Sequence, residues 1–461
     1  MSRLTILHIV HDFLPHHKHG TEQATYHLAK SQQTAGHRVA VFAGERGKFH
    51  KEVEIKLESY DGLDVYRTWF NPRSENGFLK HPGFASRFAE FLDDFKPDIV
   101  HIQHLSTLSL DLVHVVREKG LPIVGTLHDY FYVCPRVQLI KGDRSLCEES
   151  NRLSDCVACL ADSDKDPLLE RLGALPTMVR KNLFVPRSWR GVFSYIAGVA
   201  TPTKPLVRMD SIERMRHRTT AVDQALAQFQ RIIAPSADLA RRFERYAEMK
   251  EGRVTALHHT VDTSALTFRK RVNLKAPVKI GYAGKILRVK GLEVLLNAVA
   301  KLPAGLVEVD VYGAPSWSSL EDVVYFRRMK KLAETLPVTI HSEGYKPEQV
   351  GQIFDSFDLF VIPSIWYENS PLVIQEAFAA GVPVVCTDQG GPGELVRDGV
   401  DGRHFKHRDA GSLASVLREL AEEPSKIEKL SANVVRPRTQ GNYLEDVLKI
   451  YMDAIEEVQH G

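Results

Sequence analysis

The sequence predicts an α/β protein made of two doubly wound domains that face a cleft. Three observations predict it. Short β-rich apolar runs alternate with helical patterns along the whole chain. The series breaks once, at the polar stretch Thr267 to Pro277 with Arg269, Lys270, Arg271 and Lys275, and restarts at Val278. The chain has 461 residues, 43% hydrophobic and 26% charged, which is ordinary globular composition with room for two large domains.

In the first half the predicted strands are Leu4 to Val10, Arg38 to Phe42, Ile99 to Gln103, Ile123 to Leu127, Ile232 to Ala234 and Val254 to Leu257. In the second half they are Val278 to Ala283, Val307 to Tyr312, Val338 to Ile340, Leu359 to Ile362 and Val382 to Cys386. Apolar runs of this length between helices argue parallel sheets covered on both faces. The expected domains are residues 1–266, with an insertion over about 134–231, and residues 278–436. The basic stretch from Thr267 reads as their linker. A last helix is expected within 441–461, after the break at Pro437 and Gly441.

The net charge of +2 gives no global drive toward nucleic acid. No apolar run is long enough to span a bilayer. Leu4 to Val10 is too short for a signal h-region and lacks a small-residue cleavage site, so a cytoplasmic location is expected. Five cysteines, an odd number, argue against a disulfide framework.

The segment Glu368 to Gly381 reads as a loop, a capped helix and a stop. Ser370 is placed to accept from the first free N–H groups, and Pro371 suits the first helical position. Gly381 suits the left-handed position past the end. Glu368 then lies on the loop, and Glu376 about 8 Å along the helix axis. Between them is an open helix N-terminus, an anion site. Carboxylates on both sides of an anion site suit a ligand that alternates hydroxyls and phosphates, as a nucleotide sugar does.

Other segments point the same way. Gly284 to Gly291 follows the first strand of the second half, and a helix is expected near Gly291. Lys290 therefore sits at a helix start, the wrong end for a cation unless a phosphate binds there. The loop His16-His17-Lys18-His19-Gly20-Thr21-Glu22 precedes another helix; its histidine run reads as solubility or substrate contact more than as a metal site. His101, His104 and His128 stand at strand ends, which line the ligand crevice of open α/β sheets. A structural role is the main reading of His101 and His104.

Together these motifs resemble the retaining glycosyltransferases of family 4, which have the GT-B fold of two Rossmann-like domains. The Glu-x7-Glu segment of Glu368 and Glu376, with Asn369-Ser370-Pro371-Leu372, carries the likeness. The Gly-Lys285…Lys290-Gly segment, His128-Asp129 and Gly20-x-Glu22 stand in the family's order. The resemblance implies sugar transfer from a nucleotide diphosphate sugar to a hydroxyl acceptor, saccharide or polyprenyl-lipid-linked, in surface polysaccharide, exopolysaccharide or glycolipid assembly. It assigns catalytic roles to His128 and Glu368. It assigns donor binding to Gly20, Lys285, Lys290, Ser370, Pro371, Leu372, Val373 and Glu376, and requires no cofactor for catalysis. The family has Arg where Lys285 stands, which keeps the charge and loses the planar fork. It has a second Gly where His19 stands. Gly390-Gly391-Pro392-Gly393-Glu394 resembles a structural turn of the family.

The insertion adds two features. Cys134, Cys147, Cys156 and Cys159 match the ligand count of a structural zinc site, with buried thiols or a redox centre as alternatives; similar clusters occur in a bacterial exopolysaccharide subgroup of the family. Residues 178–218 are basic, with Trp189, Phe193 and Tyr195 interleaved. They suit either a solvated helical face or the anionic inner face of a membrane. Asp162-Ser-Asp164 reads as a charged loop. The rival functions are a nucleotide-sugar epimerase or hydrolase of the same fold, and a non-catalytic nucleotide-sugar-binding subunit.

Overall fold

The protein is seen in a computed structural model that describes residues 3–45, 53–69, 79–163, 205–247 and 252–460, apart from residues 107, 143, 149–152 and 318. It divides into two compact units. Unit 1 comprises Met1–Val137, Glu213–Asp262 and Arg438–Gly461; unit 2 comprises Gln138–Ile212 and Thr263–Pro437.

Unit 1 holds β1 (Thr5–Val10), β2 (Arg38–Gly44), β3 (Glu54–Tyr60), β4 (Leu63–Trp69), β5 (Ile99–Ile102), β6 (Ile123–Thr126), β7 (Arg231–Ala234) and β8 (Val254–Ala256). They form one sheet in the order β3-β4-β2-β1-β5-β6-β7-β8. All pairs are parallel except β3 with β4. That hairpin is absent from the sequence reading. Its outer strand exposes Lys56, Leu57 and Glu58, so no apolar run marks it. The Asp61-Gly62 turn, with φ of 47° and 76°, was the available signal. Leu28 and Ala29 of the helix Gly20–Thr34 join Ile6, Val10, Val41 and the inner face of the last helix, Gln440–His460, in one core.

Unit 2 holds β9 (Val278–Ala283), β10 (Val307–Tyr312), β11 (Val338–His341), β12 (Leu359–Ile362), β13 (Val384–Thr387) and β14 (Gly402–Phe405). Their order is β11-β10-β9-β12-β13-β14, all parallel. Alternation along β12 and β13 feeds two cores. Val361 and Val385 join the core of Leu292 and Leu295, while Phe360, Ile362 and Cys386 join that of Ile374 and Phe378. The short β14, with two buried residues of four, escaped the sequence reading.

The stretch read as a linker is bound into unit 2. Arg271 is buried and donates to the carbonyls of Phe354, Phe357 and Ala380, while its N–H meets Ser431 Oγ at 2.8 Å. Helix ends leave carbonyls without partners, and the guanidinium fork satisfies them. Residues 164–204, with most of the basic and aromatic residues of the insertion and Asp164, lie outside the described residues. Among the described residues no helix is long and apolar enough to cross a membrane.

Candidate active site

The second-half motifs converge in unit 2. After β9 the chain makes a single 3-10 turn, Arg288–Lys290, before the helix Leu292–Val299. Gly291 joins them at φ +71°. A Cβ there would lie 1.8 Å from Pro363 O, so only glycine lets this turn touch the segment after β12. Ile365 N–H donates to Val289 O at 2.9 Å and fixes the register. This seats the Lys290 ammonium 2.6 Å from Glu368 Oε1, which Ser364 Oγ also approaches at 2.8 Å. Glu368 is buried, whereas Lys290 keeps partial exposure and lies 5.4 Å from the Trp366 ring. The glycine turn at 390–393 supports the same loop. Gly391 N–H donates to Glu368 O at 2.8 Å, and a Cβ at Gly391 would lie 1.6 Å from Asn369 O.

The helix starts differently from the expectation. It spans Leu372–Ala379, with Pro371 at the cap and no side-chain cap bond. Ser370 does not cap it: Pro371 is extended, with ψ of 114°, which carries the chain past the hydroxyl. Ser370 Oγ is buried with no hydrogen-bond partner in the protein. Leu372 and Val373 form the first turn, and Gly381 takes the left-handed position at φ +77°. Glu376 keeps some exposure as a residue, but its Oε2 is buried without a hydrogen bond. Burial pushes its carboxyl up to about 7. Tyr345 and Tyr282 are close enough to couple electrostatically to Glu376 and Glu368 respectively, and burial raises both phenols. Neither tyrosine was in the sequence reading. Tyr282 stands near the C-terminal end of β9, a position that marks ligand contacts. Tyr345 had no signal. Lys285 lies on the loop after β9, half-buried.

In unit 1, His128 follows β6. Its Nε2 lies 2.8 Å from Gln103 Oε1, an acceptor, so this nitrogen carries the proton and Nδ1 is the ring's acceptor. The same logic continues inward. Gln103 Nε2 donates to His8 Nδ1, His8 Nε2 to Gln32 Oε1, and Gln32 Nε2 to Tyr451 Oη. Tyr451 O–H donates to His101 Nδ1 at 2.6 Å, and His101 Nε2 to Thr126 Oγ1 at 2.7 Å. With these amide orientations every bond has one direction, and every histidine is the neutral Nε2–H tautomer. Burial agrees: it lowers His8 to about 4 and holds His101 and His128 well below the usual range, neighbouring histidines adding to the effect in the last two. His101 is thus structural, as read. His104 instead faces Asp129 at 3.1 Å. His259 stacks on His128 at 5.0 Å.

Gly20 opens the helix Gly20–Thr34, and a Cβ there would meet nothing within 4 Å, so packing in the protein does not demand glycine. Cys156 and Cys159 lie on the helix Leu153–Ser163; Cys134 belongs to unit 1 and Cys147 to unit 2. Among the described residues no cysteine joins a group of three metal-ligating side chains with ligand atoms within 4.8 Å of one another.

Comparison with known proteins matches residues 265–435 to the family "Glycosyl transferases group 1" and residues 19–180 to "Glycosyltransferase Family 4". The D-inositol 3-phosphate glycosyltransferase of Mycolicibacterium smegmatis is 27% identical over 251 residues, 52% of this chain and 56% of that one. The Streptomyces avermitilis enzyme of the same name is 32% identical over 220 residues, 44% of this chain and 46% of that one. The chain thus spans about half the length of the curated relatives it matches. Among solved structures, a glycosyltransferase from Rickettsia africae has a TM-score of 0.62 at 14% identity, covering 99% of both chains. Anabaena HepE in complex with UDP and glucose also has 0.62, at 15% identity, covering 97% of this chain and 99% of that one. Two Rossmann-like domains with parallel sheets, and these matches, place the chain on the GT-B fold, with a family 4-like glycosyltransferase domain in its first half and a group 1-like glycosyltransferase domain in its second.

Proposed function

We propose that the protein is a retaining glycosyltransferase that moves a sugar from a nucleotide diphosphate sugar to a hydroxyl acceptor. One observation carries the reading: Lys290 is held on the buried Glu368 beside an uncapped helix start, with the bare carboxylate of Glu376 further along the same helix. The helix N–H groups and Lys290 suit a diphosphate. Glu376 suits the ribose hydroxyls, which would supply the donors its buried oxygen lacks. Glu368 suits the sugar, and the Lys285 ammonium adds charge for the phosphates.

In unit 1, the resemblance assigns His128 to a sugar hydroxyl; its neutral ring offers an acceptor there at neutral pH. In the transfer, the bond between the anomeric carbon and the diphosphate oxygen breaks. The acceptor oxygen bonds to that carbon on the same face, and its proton passes to the departing diphosphate. Lys290 and the helix start stabilise the charge that develops on the leaving group. No step needs a metal.

We place the acceptor among saccharides or polyprenyl-linked saccharides of cytoplasmic surface-polysaccharide, exopolysaccharide or glycolipid assembly. The basic, aromatic segment within 178–218 supports peripheral contact with the inner membrane face. Cys134, Cys147, Cys156 and Cys159, four thiols that match the ligand count of a structural zinc site, are proposed to hold one zinc ion. The test is a panel of nucleotide sugars, following nucleoside diphosphate release with and without polyprenyl-linked acceptors. Acceptor-dependent release with a glycosylated product is expected. Release that ignores the acceptor refutes transfer and favours a hydrolase; binding without turnover of any donor favours the non-catalytic subunit.

A further inference from the structure

The insertion reaches the loop of Glu368 through Arg408. Residues 139–147 of the insertion belong to unit 2 and form a hairpin. Ile140 bridges Leu146, Lys141 N–H donates to Ser145 O at 2.9 Å, and Cys147 N–H donates to Leu139 O at 2.7 Å. Near its tip Arg144 has φ of 72°, a region that favours glycine. Arg408, just after β14, has φ of 61° at the third position of the turn that Asp409 N–H closes on Lys406 O. These two left-handed arginines meet, as Arg408 Nη1 donates to Arg144 O at 2.8 Å. Backbone stays in a sparsely populated region only where surrounding contacts over-determine it.

The rest of the Arg408 guanidinium holds the donor loop. Its Nε and Nη2 donate to Ile365 O at 2.9 and 2.8 Å. Ile365 is thereby fixed from both sides, because its own N–H donates to Val289 O in the turn of Lys290. Glu368 follows on the same loop, its N–H on Trp366 O at 3.0 Å. His407 extends the bed under this loop: its ring stacks on Tyr367 at 6.3 Å, and its Nδ1 lies 2.9 Å from Thr387 Oγ1. The carboxylate beside Arg408 in sequence, Asp409, is committed elsewhere, capping the helix Ala410–Glu422 through Gly411 and Ser412 N–H. Arg408 therefore acts here by directed hydrogen bonds, not by pairing charge. The hairpin has a second anchor, Arg144 Nη2 to Glu321 Oε1 at 2.9 Å, but both side chains are more than half exposed. An exposed pair contributes little, so the Arg144 carbonyl on Arg408 is the stronger seat.

We propose, on the reading of Glu368 as a sugar-handling group, that Arg408 is a positioning residue for the donor loop and that the hairpin 139–147 regulates donor use through it. The guanidinium is a rigid plane, so a shift of the hairpin reaches Ile365 as one rotation of that plane. Arg408→Gly and Arg408→Lys in the full chain are the test. Glycine suits the backbone of position 408, so the turn is kept and the fork is lost. Lysine keeps the charge and also loses the fork. In both variants the amides of Ile365, Glu368, Lys141 and Cys147 should exchange hydrogen at least about tenfold faster. Donor turnover should show kcat at least about tenfold lower. Affinity for the nucleoside diphosphate that the native chain binds, from a panel of uridine, guanosine and adenosine diphosphates, should change by less than about threefold. Saturating that nucleotide should slow the Lys141 and Cys147 amides in the native protein and not in Arg408→Gly. Native exchange at loop and hairpin in both variants overturns the proposal, as does full kcat in either variant or a hairpin indifferent to bound nucleotide. A native chain that binds none of the nucleotides refutes the transferase reading instead, and exchange in the unliganded variants still decides whether Arg408 holds the loop.

Discussion

Glu376 makes an unusual prediction: replacing it should stabilise the protein while harming its function. Its carboxyl is raised from 4.5 to about 7 by burial. The folded protein therefore holds this proton more tightly than the unfolded chain does. Stability from this group is fully present below about pH 4.5 and is lost as pH rises to about 7 and beyond. That change corresponds to about 3 kcal/mol once the group is ionised. The partial exposure of the residue makes that an upper figure. Glu376→Gln removes the titration and keeps the shape. Urea unfolding of both proteins at pH 5 and pH 8 is the assay. The variant should gain on the wild type by about 1–3 kcal/mol between the two pH values, read as a shift in midpoint at constant slope. Any fixed cost of the new amide cancels in that comparison. The same variant should bind nucleoside diphosphate more weakly. A difference in stability that does not change with pH, or one that turns in favour of the wild type at pH 8, refutes the buried-charge argument.

Lys290→Ala and Lys285→Ala should each weaken donor binding by about 2 kcal/mol through lost charge-assisted bonds, measured by calorimetry; unchanged affinity in both removes the phosphate clamp. Glu368→Gln should lower turnover more than nucleotide affinity, whereas Glu376→Gln should do the reverse, and steady-state kinetics beside nucleotide titration separates the two. Tyr451→Phe leaves His101 Nδ1 without its donor, and Gln103→Leu leaves His128 without its acceptor. The second should mix the His128 tautomers in nitrogen NMR and lower kcat with little change in KM, while the first should leave the His128 spectrum less affected. With anionic liposomes at low salt the protein should float, and with neutral liposomes or high salt it should not; failure to float with anionic lipid removes the membrane reading.

The architecture was legible because its signals are periodic. Eleven strands were anticipated, and the buried parallel ones announced themselves as β-branched runs, as at Val278–Ala283 and Leu359–Ile362. The β3–β4 hairpin was lost because its outer strand faces water and its pattern is charged. Arg271 was misread for the opposite reason: a guanidinium amid basic residues looks solvated, and only tertiary structure shows the carbonyls it satisfies. Lys290 and Glu368, separated by most of a hundred positions, meet because glycines at 291 and 391 let backbones touch, and the glycines themselves were readable. Of the tyrosines that couple to the two glutamates, Tyr282 is marked only by its place near the end of β9, and Tyr345 carries no local mark that distinguishes it from core aromatics.

The places where this chain breaks local rules sort by what they do. A cation at a helix start, a helix without a cap, a hydroxyl and a carboxylate buried without partners all fall within Lys290 to Glu376 of unit 2. Each costs stability in isolation, and a diphosphate with a ribose would answer all of them at once. The polar chain of unit 1 is different. From His128 to Thr126 each bond in it has a donor and an acceptor in agreement, so it needs no ligand to be stable. A satisfied network of this kind holds one tautomer and one orientation. In unit 2 the unmet groups Ser370 and Glu376 lie where we propose the diphosphate and ribose, whereas the met groups of the His128–Thr126 chain hold its histidines still.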